Sequence, residues 1–334
     1  MIGENIKRYR TFKGISLRKF GELVGMSQTA IMKYEQNILK PDGEKLIKFA
    51  EILECSVKDL LKDNSKRKII DINFRKRQSL SGKKLELLKE VIYNKVNNYL
   101  DVLELNNIER IKLKKYNVSS FLDAEKAADE FRKNNKINDI IPLVNLCNII
   151  ENLGISIVIV DNSKEIFKGF DGVSEVVDGF PFICIASDIN YFRQRFTLAH
   201  ELGHLILNID NKLDEEKICN EFASALLLPK KAMKIEFGEN RNSISNREYE
   251  IVREEYEVSI KAIIYRLNKC GIISSNNAKE SYIRFNKDLL IEELRIAESY
   301  QEYSRKYEQL TLRLLNQELI TESRFNELMR GWNN

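Results

Sequence analysis

Histidine is almost absent from this chain: only two occur in 334 residues. That scarcity excludes any metal site built from three or more imidazoles, and histidine chemistry of any kind must use one or both of these two. Cysteine is also sparse. Cys55, Cys147, Cys184, Cys219 and Cys270 are odd in number, lie far apart and form no C-x-x-C pair, which argues against a disulfide framework and a cysteine zinc cluster and fits a reducing cytoplasm. No apolar run approaches the roughly 20 residues that span a bilayer, Ile155 to Val160 being among the longest, and Met1 to Arg8 has no apolar signal core. Neither a membrane span nor export is expected. Proline occurs four times, leaving few interruptions for helices. The formal net charge of +4 is too small for bulk charge to imply nucleic acid.

Both histidines fall within five residues, His200-Glu201-Leu202-Gly203-His204, the H-E-x-x-H arrangement of zinc hydrolases. Positions four apart on a helix lie on one face, so two imidazoles there can reach one tetrahedral metal while Glu201 turns toward a bound water. Phe196, Leu198 and Ala199 before the motif, with Leu205, Ile206 and Leu207 after it, mark a largely buried helix, where polar side chains need partners. With no third histidine, the remaining ligand has to be a carboxylate. Asp210, Asp214, Glu215, Glu216 and Glu221 are the candidates. On a helix from Asp214 to Leu228, Glu215 lies nearest the centre of the apolar face and Glu216 at its edge, and periodicity prefers neither strongly.

The first sixty residues show helical apolar spacing in short segments, consistent with five compact helices. Ser16 is placed to cap Leu17 to Val24, Gly25-Met26-Ser27 to turn the chain and cap again, and Gln28 to Gln36 to form the next helix, with Ile31 and Tyr34 inward. The run Ile15 to Glu35, followed by Lys40-Pro41 and Leu46 to Leu53, resembles the Xre/Cro family of phage-type repressors over about residues 1–63, with Gly21 where that family usually has alanine. The resemblance implies that Gln28, Thr29 and Lys33 face a major groove while Ser16, Arg18 and Asn37 lie near phosphates. Residues 1–63 hold 12 Lys and Arg against 9 Asp and Glu, and residues 64–78 hold 6 against 1. The stretch with Lys66-Arg67-Lys68 and Arg75-Lys76-Arg77 is therefore the most basic part, a linker that can also touch the DNA backbone.

Further on, Gly82 to Leu105 reads as a long amphipathic helix, Asp123 to Arg132 as another and Ile140 to Leu153 as a third. Ile155 to Val160 reads as a strand, Gly169 to Gly179 as turns around a short strand, and Pro181 to Ala186 as the strand before the H-E-x-x-H helix. Arg195 to His204, then Glu216 to Pro229, resemble the ImmA/IrrE metallopeptidase family, loosely over about residues 125–275. Its E-x-x-C/A-N segment matches Glu216 to Asn220. By that resemblance Glu216 is the third ligand and Asn220 supports a ligand from behind. Zinc is the implied cofactor, Glu201 the general base, and Tyr265 and Arg266 the candidate donors to the oxyanion of peptide hydrolysis.

The expected fold class is mainly α with a small β-sheet (α+β). It comprises a helix-turn-helix domain at 1–63, a basic linker and long helix at 64–122, a zincin-like metallopeptidase domain at 123–275 and a helical region at 276–334, with Leu289 to Ser304 and Tyr307 to Leu315 as helices. The expected function is that of a cytoplasmic, DNA-binding regulator, possible as a homodimer on a double-stranded operator. It would use a zinc endopeptidase to cleave a helix-turn-helix repressor, or itself. The alternative is a non-enzymatic or antitoxin-like regulator with a structural or sensory zinc domain.

Overall fold

The computed structural model describes residues 2–61, 82–161, 169–285, 302 and 304–333. The two basic triplets at 66–68 and 75–77, and nearly all of the helix expected over 289–304, lie outside the described residues. The chain divides into two compact units, Met1–Lys95 and Val96–Asn334.

Five short helices open the first unit: α1 (Ile2–Phe12), α2 (Leu17–Val24), α3 (Gln28–Glu35), α4 (Gly43–Leu53) and α5 (Val57–Leu61). Their starts are written in side chains that accept a backbone N–H three residues on: Ser16 from Lys19, Ser27 from Ala30 and Asp42 from Lys45. Phe20, Val24, Ile31, Phe49, Leu53 and Leu60 meet in one core, with the Phe20 and Phe49 rings 5.4 Å apart. At Gly21 a Cβ would stand 2.6 Å from the Met26 carbonyl oxygen, so α2 and the turn after it approach closely here. The buried Glu35 carboxylate on α3 takes both arms of Arg10 on α1, at 2.5 and 2.9 Å. The long helix α6 (Gly82–Leu105) forms over the span expected.

The second unit is built around α9 (Tyr191–Ile206), the H-E-x-x-H helix. Ahead of it run β1 (Tyr116–Val118), α7 (Phe121–Asn134), α8 (Leu146–Asn152), β2 (Ser156–Val160), β3 (Gly172–Val177) and β4 (Phe180–Ala186). Behind it come β5 (Leu207–Ile209), α10 (Glu215–Leu227), α11 (Lys230–Phe237), α12 (Asn246–Tyr256), α13 (Ile260–Lys269), α14 (Ser275–Arg284), α15 (Lys306–Asn316) and α16 (Glu322–Asn333). The strands form a three-stranded sheet of order β2-β4-β3 and a separate parallel pair β1-β5. Central β4, parallel to β2 and antiparallel to β3, is buried along its whole length. The β3-β4 hairpin closes through Asp178-Gly179, both at positive φ (50° and 83°), the two-residue turn whose twist matches paired strands. β1 pairs with β5 from Tyr116↔Leu207 to Val118↔Ile209, so residues ahead of 123 help pin the end of the H-E-x-x-H helix.

The helix expected over Ile140 to Leu153 shrinks to Leu146–Asn152. Pro142 has no N–H and biases Ile141 toward extended backbone, and Asn145 adopts a left-handed φ of 53°. The freed carbonyls of Asn138 and Ile141 accept from the buried Arg132 guanidinium, which also donates to Leu226 O on α10 at 2.7 Å. In place of a separate helical appendage, the C-terminal helices join the core of the second unit. The Tyr307 ring lies 5.0 Å from Tyr99 and stacks on Trp332 at 4.1 Å, and Tyr99 also meets Phe182 of β4. Among the described residues no helix is long and apolar enough to cross a membrane.

Candidate metal centre

Asn190 caps α9 by accepting from the Arg193 N–H, and from there the helix runs between the β3-β4 hairpin on one side and α8 and α10 on the others. Nearly all its residues are buried, so its polar side chains must find partners inside the protein. One turn apart, His200 and His204 present their rings to each other, centroids 4.8 Å apart and Nε2 atoms 3.1 Å apart. α10 begins beside them. Asp214 caps it, and Glu215 and Glu216 occupy its first turn, where the positive end of the helix dipole favours carboxylates. The two Glu216 oxygens lie 3.4 Å from His200 Nε2 and 3.7 Å from His204 Nε2. His200, His204 and Glu216 thus offer three ligand atoms within 4.8 Å of one another.

The far side of each ring has a partner as well. His200 Nδ1 lies 2.9 Å from Asn220 Oδ1, and His204 Nδ1 lies 2.9 Å from Glu215 Oε1. Each ring thus turns Nδ1 toward an acceptor oxygen and Nε2 toward its neighbour, the orientation in which an Nδ1–H tautomer leaves Nε2 free to ligate. The donor set of two nitrogens and one oxygen fits zinc with a coordination position to spare. Cys219, one residue before Asn220, is fully buried, and burial together with the nearby Glu215, Glu216 and Glu201 carboxylates pushes its thiol up, which disfavours the thiolate a metal would need.

Glu201 points to a different neighbour. Only 3% exposed, it accepts a hydrogen bond from Ser174 Oγ on β3 at 2.9 Å. The strand comes this close because of Gly172, where a Cβ would stand 2.6 Å from Thr197 Cγ2 and 3.0 Å from the Cys184 carbonyl oxygen. Ser174 had no sequence signal: a lone serine in a short strand has no periodicity that ties it to a helix 27 residues away.

Tyr265 and Arg266 are engaged elsewhere. Tyr265 Oη donates to Glu221 Oε2 at 3.1 Å, and burial with the Glu221 charge pushes its hydroxyl up to about 12. The Arg266 guanidinium, 1% exposed, donates to Leu228 O and Glu125 Oε1, each at 2.7 Å, and pairs with Glu221. These contacts tie α13 to α7 and α10, and none of the partners belongs to the His200, His204, Glu216 cluster.

In the first unit Gln28, Thr29 and Lys33 lie exposed along α3. Ser16 is the α2 cap, and Arg18 is exposed and pairs with Glu22 at 3.0 Å. Asn37, at a left-handed φ of 60°, accepts from the Gly3 N–H at 2.8 Å through its side-chain oxygen. Its amide oxygen thus satisfies a backbone N–H at the start of α1.

Two stretches of the chain match known families. Residues 6–60 match the helix-turn-helix family, and residues 150–268 match the IrrE N-terminal-like domain of the peptidase M78 family. Repressor protein C2 of Salmonella phage P22 is 36% identical over 62 residues, which cover 19% of this chain and 29% of the repressor. The SPbeta prophage-derived HTH-type transcriptional regulator YonR of Bacillus subtilis is 37% identical over 62 residues, 19% of this chain and 57% of YonR. The chain thus spans less than two thirds of the length of these curated relatives. A solved Mycobacterium tuberculosis transcriptional regulator aligns over 51% of each chain at 16% identity with a TM-score of 0.33, too low to carry an argument. From the two family matches, the chain carries a helix-turn-helix domain at residues 6–60 and, at residues 150–268, an IrrE N-terminal-like peptidase M78 domain that contains His200, Glu201, His204 and Glu216.

Proposed function

We propose that this chain is a cytoplasmic, DNA-binding transcriptional regulator with a zinc-dependent endopeptidase that cleaves a repressor-type protein, or itself, to relieve repression. The observation that carries the enzymatic half is the pair of Nε2 atoms facing each other beside Glu216, with Glu201 one residue from His200. His200, His204 and Glu216 would hold the metal, with Asn220 orienting His200 from behind. Zinc bound there would supply Lewis acidity, polarising a peptide carbonyl and making water acidic enough to attack near neutral pH.

The chain's own groups do the rest. Glu201 takes the proton from the attacking water and delivers it to the departing amine nitrogen. Ser174 Oγ holds one Glu201 oxygen, which restrains the carboxylate rotamer. On the DNA side, Gln28, Thr29 and Lys33 form one exposed face of α3, the recognition-helix position of a helix-turn-helix, and two copies of the chain would read two half-sites.

The test compares cells expressing wild type with cells expressing Glu201→Gln by mass spectrometry of new protein N-termini. A cut in a helix-turn-helix repressor, or in the chain itself, that appears only with wild type is expected. If zinc is bound by both proteins and no cut distinguishes them, the enzymatic reading fails and a structural or sensory zinc domain takes its place.

A further inference from the structure

Two glutamates open α10 in succession, and only one is needed to complete the ligand set. Glu216 reaches both Nε2 atoms, whereas the Glu215 carboxylate meets His204 from the opposite side of its ring, accepting from Nδ1 at 2.9 Å. We infer that Glu215 is a positioning residue for the metal, acting through His204. This rests on the reading that His200, His204 and Glu216 hold zinc.

A neutral imidazole has two tautomers, and the one with its proton on Nε2 cannot ligate through that atom. For His200 the choice is made by Asn220, a neutral acceptor at 2.9 Å. For His204 it is made by an anion. The same atom on the same kind of ring therefore has a weaker support in one case and a charge-assisted one in the other, and charge-assisted bonds are the stronger and more strongly orienting. A carboxylate behind a ligating histidine also makes its free nitrogen a better electron-pair donor.

The need for this support differs between the rings. His200 is wedged beside Phe196, at 6.5 Å and near-parallel, with its side chain 7% exposed. His204 is 18% exposed at the end of α9, where packing holds it less. Glu215 is itself 60% exposed, so its influence comes from the direct hydrogen bond to Nδ1, because solvent screens the through-space effect of its charge.

The experiment is a zinc competition titration against a chromophoric chelator, on the full chain, for wild type, Glu215→Ala, Glu215→Gln and Glu216→Ala. Melting of each metal-free protein serves as the folding check. Glu215→Ala is expected to weaken zinc binding about 10–100-fold, the usual effect of losing a group behind a metal ligand. Glu215→Gln, whose amide oxygen can still accept from Nδ1, is expected to recover part of that loss, and Glu216→Ala to lose more than either. Zinc held as tightly by Glu215→Ala as by wild type overturns the inference and leaves the metal site standing. Glu215→Ala losing zinc altogether while Glu216→Ala retains it also overturns it, since the two glutamates would then have exchanged roles. A wild type that takes up no zinc overturns the site and the inference together.

Discussion

Ser174 and Gly172 sit two residues apart on β3 and act on α9 in opposite senses, one by what it adds and the other by what it omits. The Ser174 hydroxyl steadies the buried Glu201 carboxylate at 2.9 Å. A hydrogen bond to a charged acceptor is worth about 1.5–3 kcal/mol; if it steadies the transition state, its loss slows turnover by roughly ten- to a hundredfold. Ser174→Ala should therefore lower kcat with zinc content unchanged, and Ser174→Thr, which keeps a hydroxyl, should recover part of it; single-turnover cleavage at a cut mapped by the proposed N-terminus comparison measures both. Gly172→Ala acts on packing. The Cβ it adds would meet backbone and Thr197 at or below 3.0 Å, and overpacking of this kind costs about 1–3 kcal/mol, to be read as a lower urea midpoint for the second unit. Of the residues at this centre, the histidines and Glu201 could be read at once, because all three signals lie on one helix turn. Choosing Glu216 over Glu215 needed the family resemblance, since both lie in one turn and only the three-dimensional path of α10 shows which of them faces the two Nε2 atoms.

At the scale of elements, α3 carries the DNA expectation. Its caps and inward residues Ile31 and Tyr34 leave Gln28, Thr29 and Lys33 on the outer face. If Lys33 neutralises a phosphate, Lys33→Ala should weaken operator binding and reduce the slope of log K against log salt by roughly 1; if Lys33 reads a base, the slope stays and one operator position loses its preference. Fluorescence anisotropy across a salt series tells these apart. Helices were legible wherever local chemistry decides them: Ser16, Ser27 and Asp214 each stand at a cap, and α6 and α15 fall within a residue of their expected limits. The helix expected from Ile140 shows the limit of periodicity, since the apolar spacing is there but Pro142 overrides it. The β1-β5 pairing was illegible because its partners lie 91 residues apart in sequence and neither three-residue strand has a pattern of its own.

The whole second unit depends on its C-terminal part. Arg195 lies on α9 five residues before His200, 1% exposed, and its guanidinium donates to Glu302 at 2.7 Å and to the Leu143 carbonyl. Glu302 in turn accepts from the Cys147 N–H at 3.2 Å. Removing one partner of a buried pair costs about 3–5 kcal/mol, so Glu302→Ala should lower the melting temperature of the second unit and leave the first unit's transition in place, as differential scanning calorimetry would show. Bound zinc should do the reverse, raising that transition by about 2.7 kcal/mol at a hundred times its Kd, with the gain abolished by chelator. The family match stops at residue 268, but the ion pair from the H-E-x-x-H helix does not.

The distance between Arg195 and Glu302 along the chain, 107 residues, also sets a clock. At about 5–20 residues per second of synthesis, Arg195 leaves the ribosome roughly 5–20 s before the carboxylate that will meet it. The apolar core of the helix-turn-helix, whose residues all lie within the first sixty or so, is synthesised long before then. Each newborn molecule therefore passes through an interval in which its helix-turn-helix core is complete and Arg195 still lacks the carboxylate it will meet.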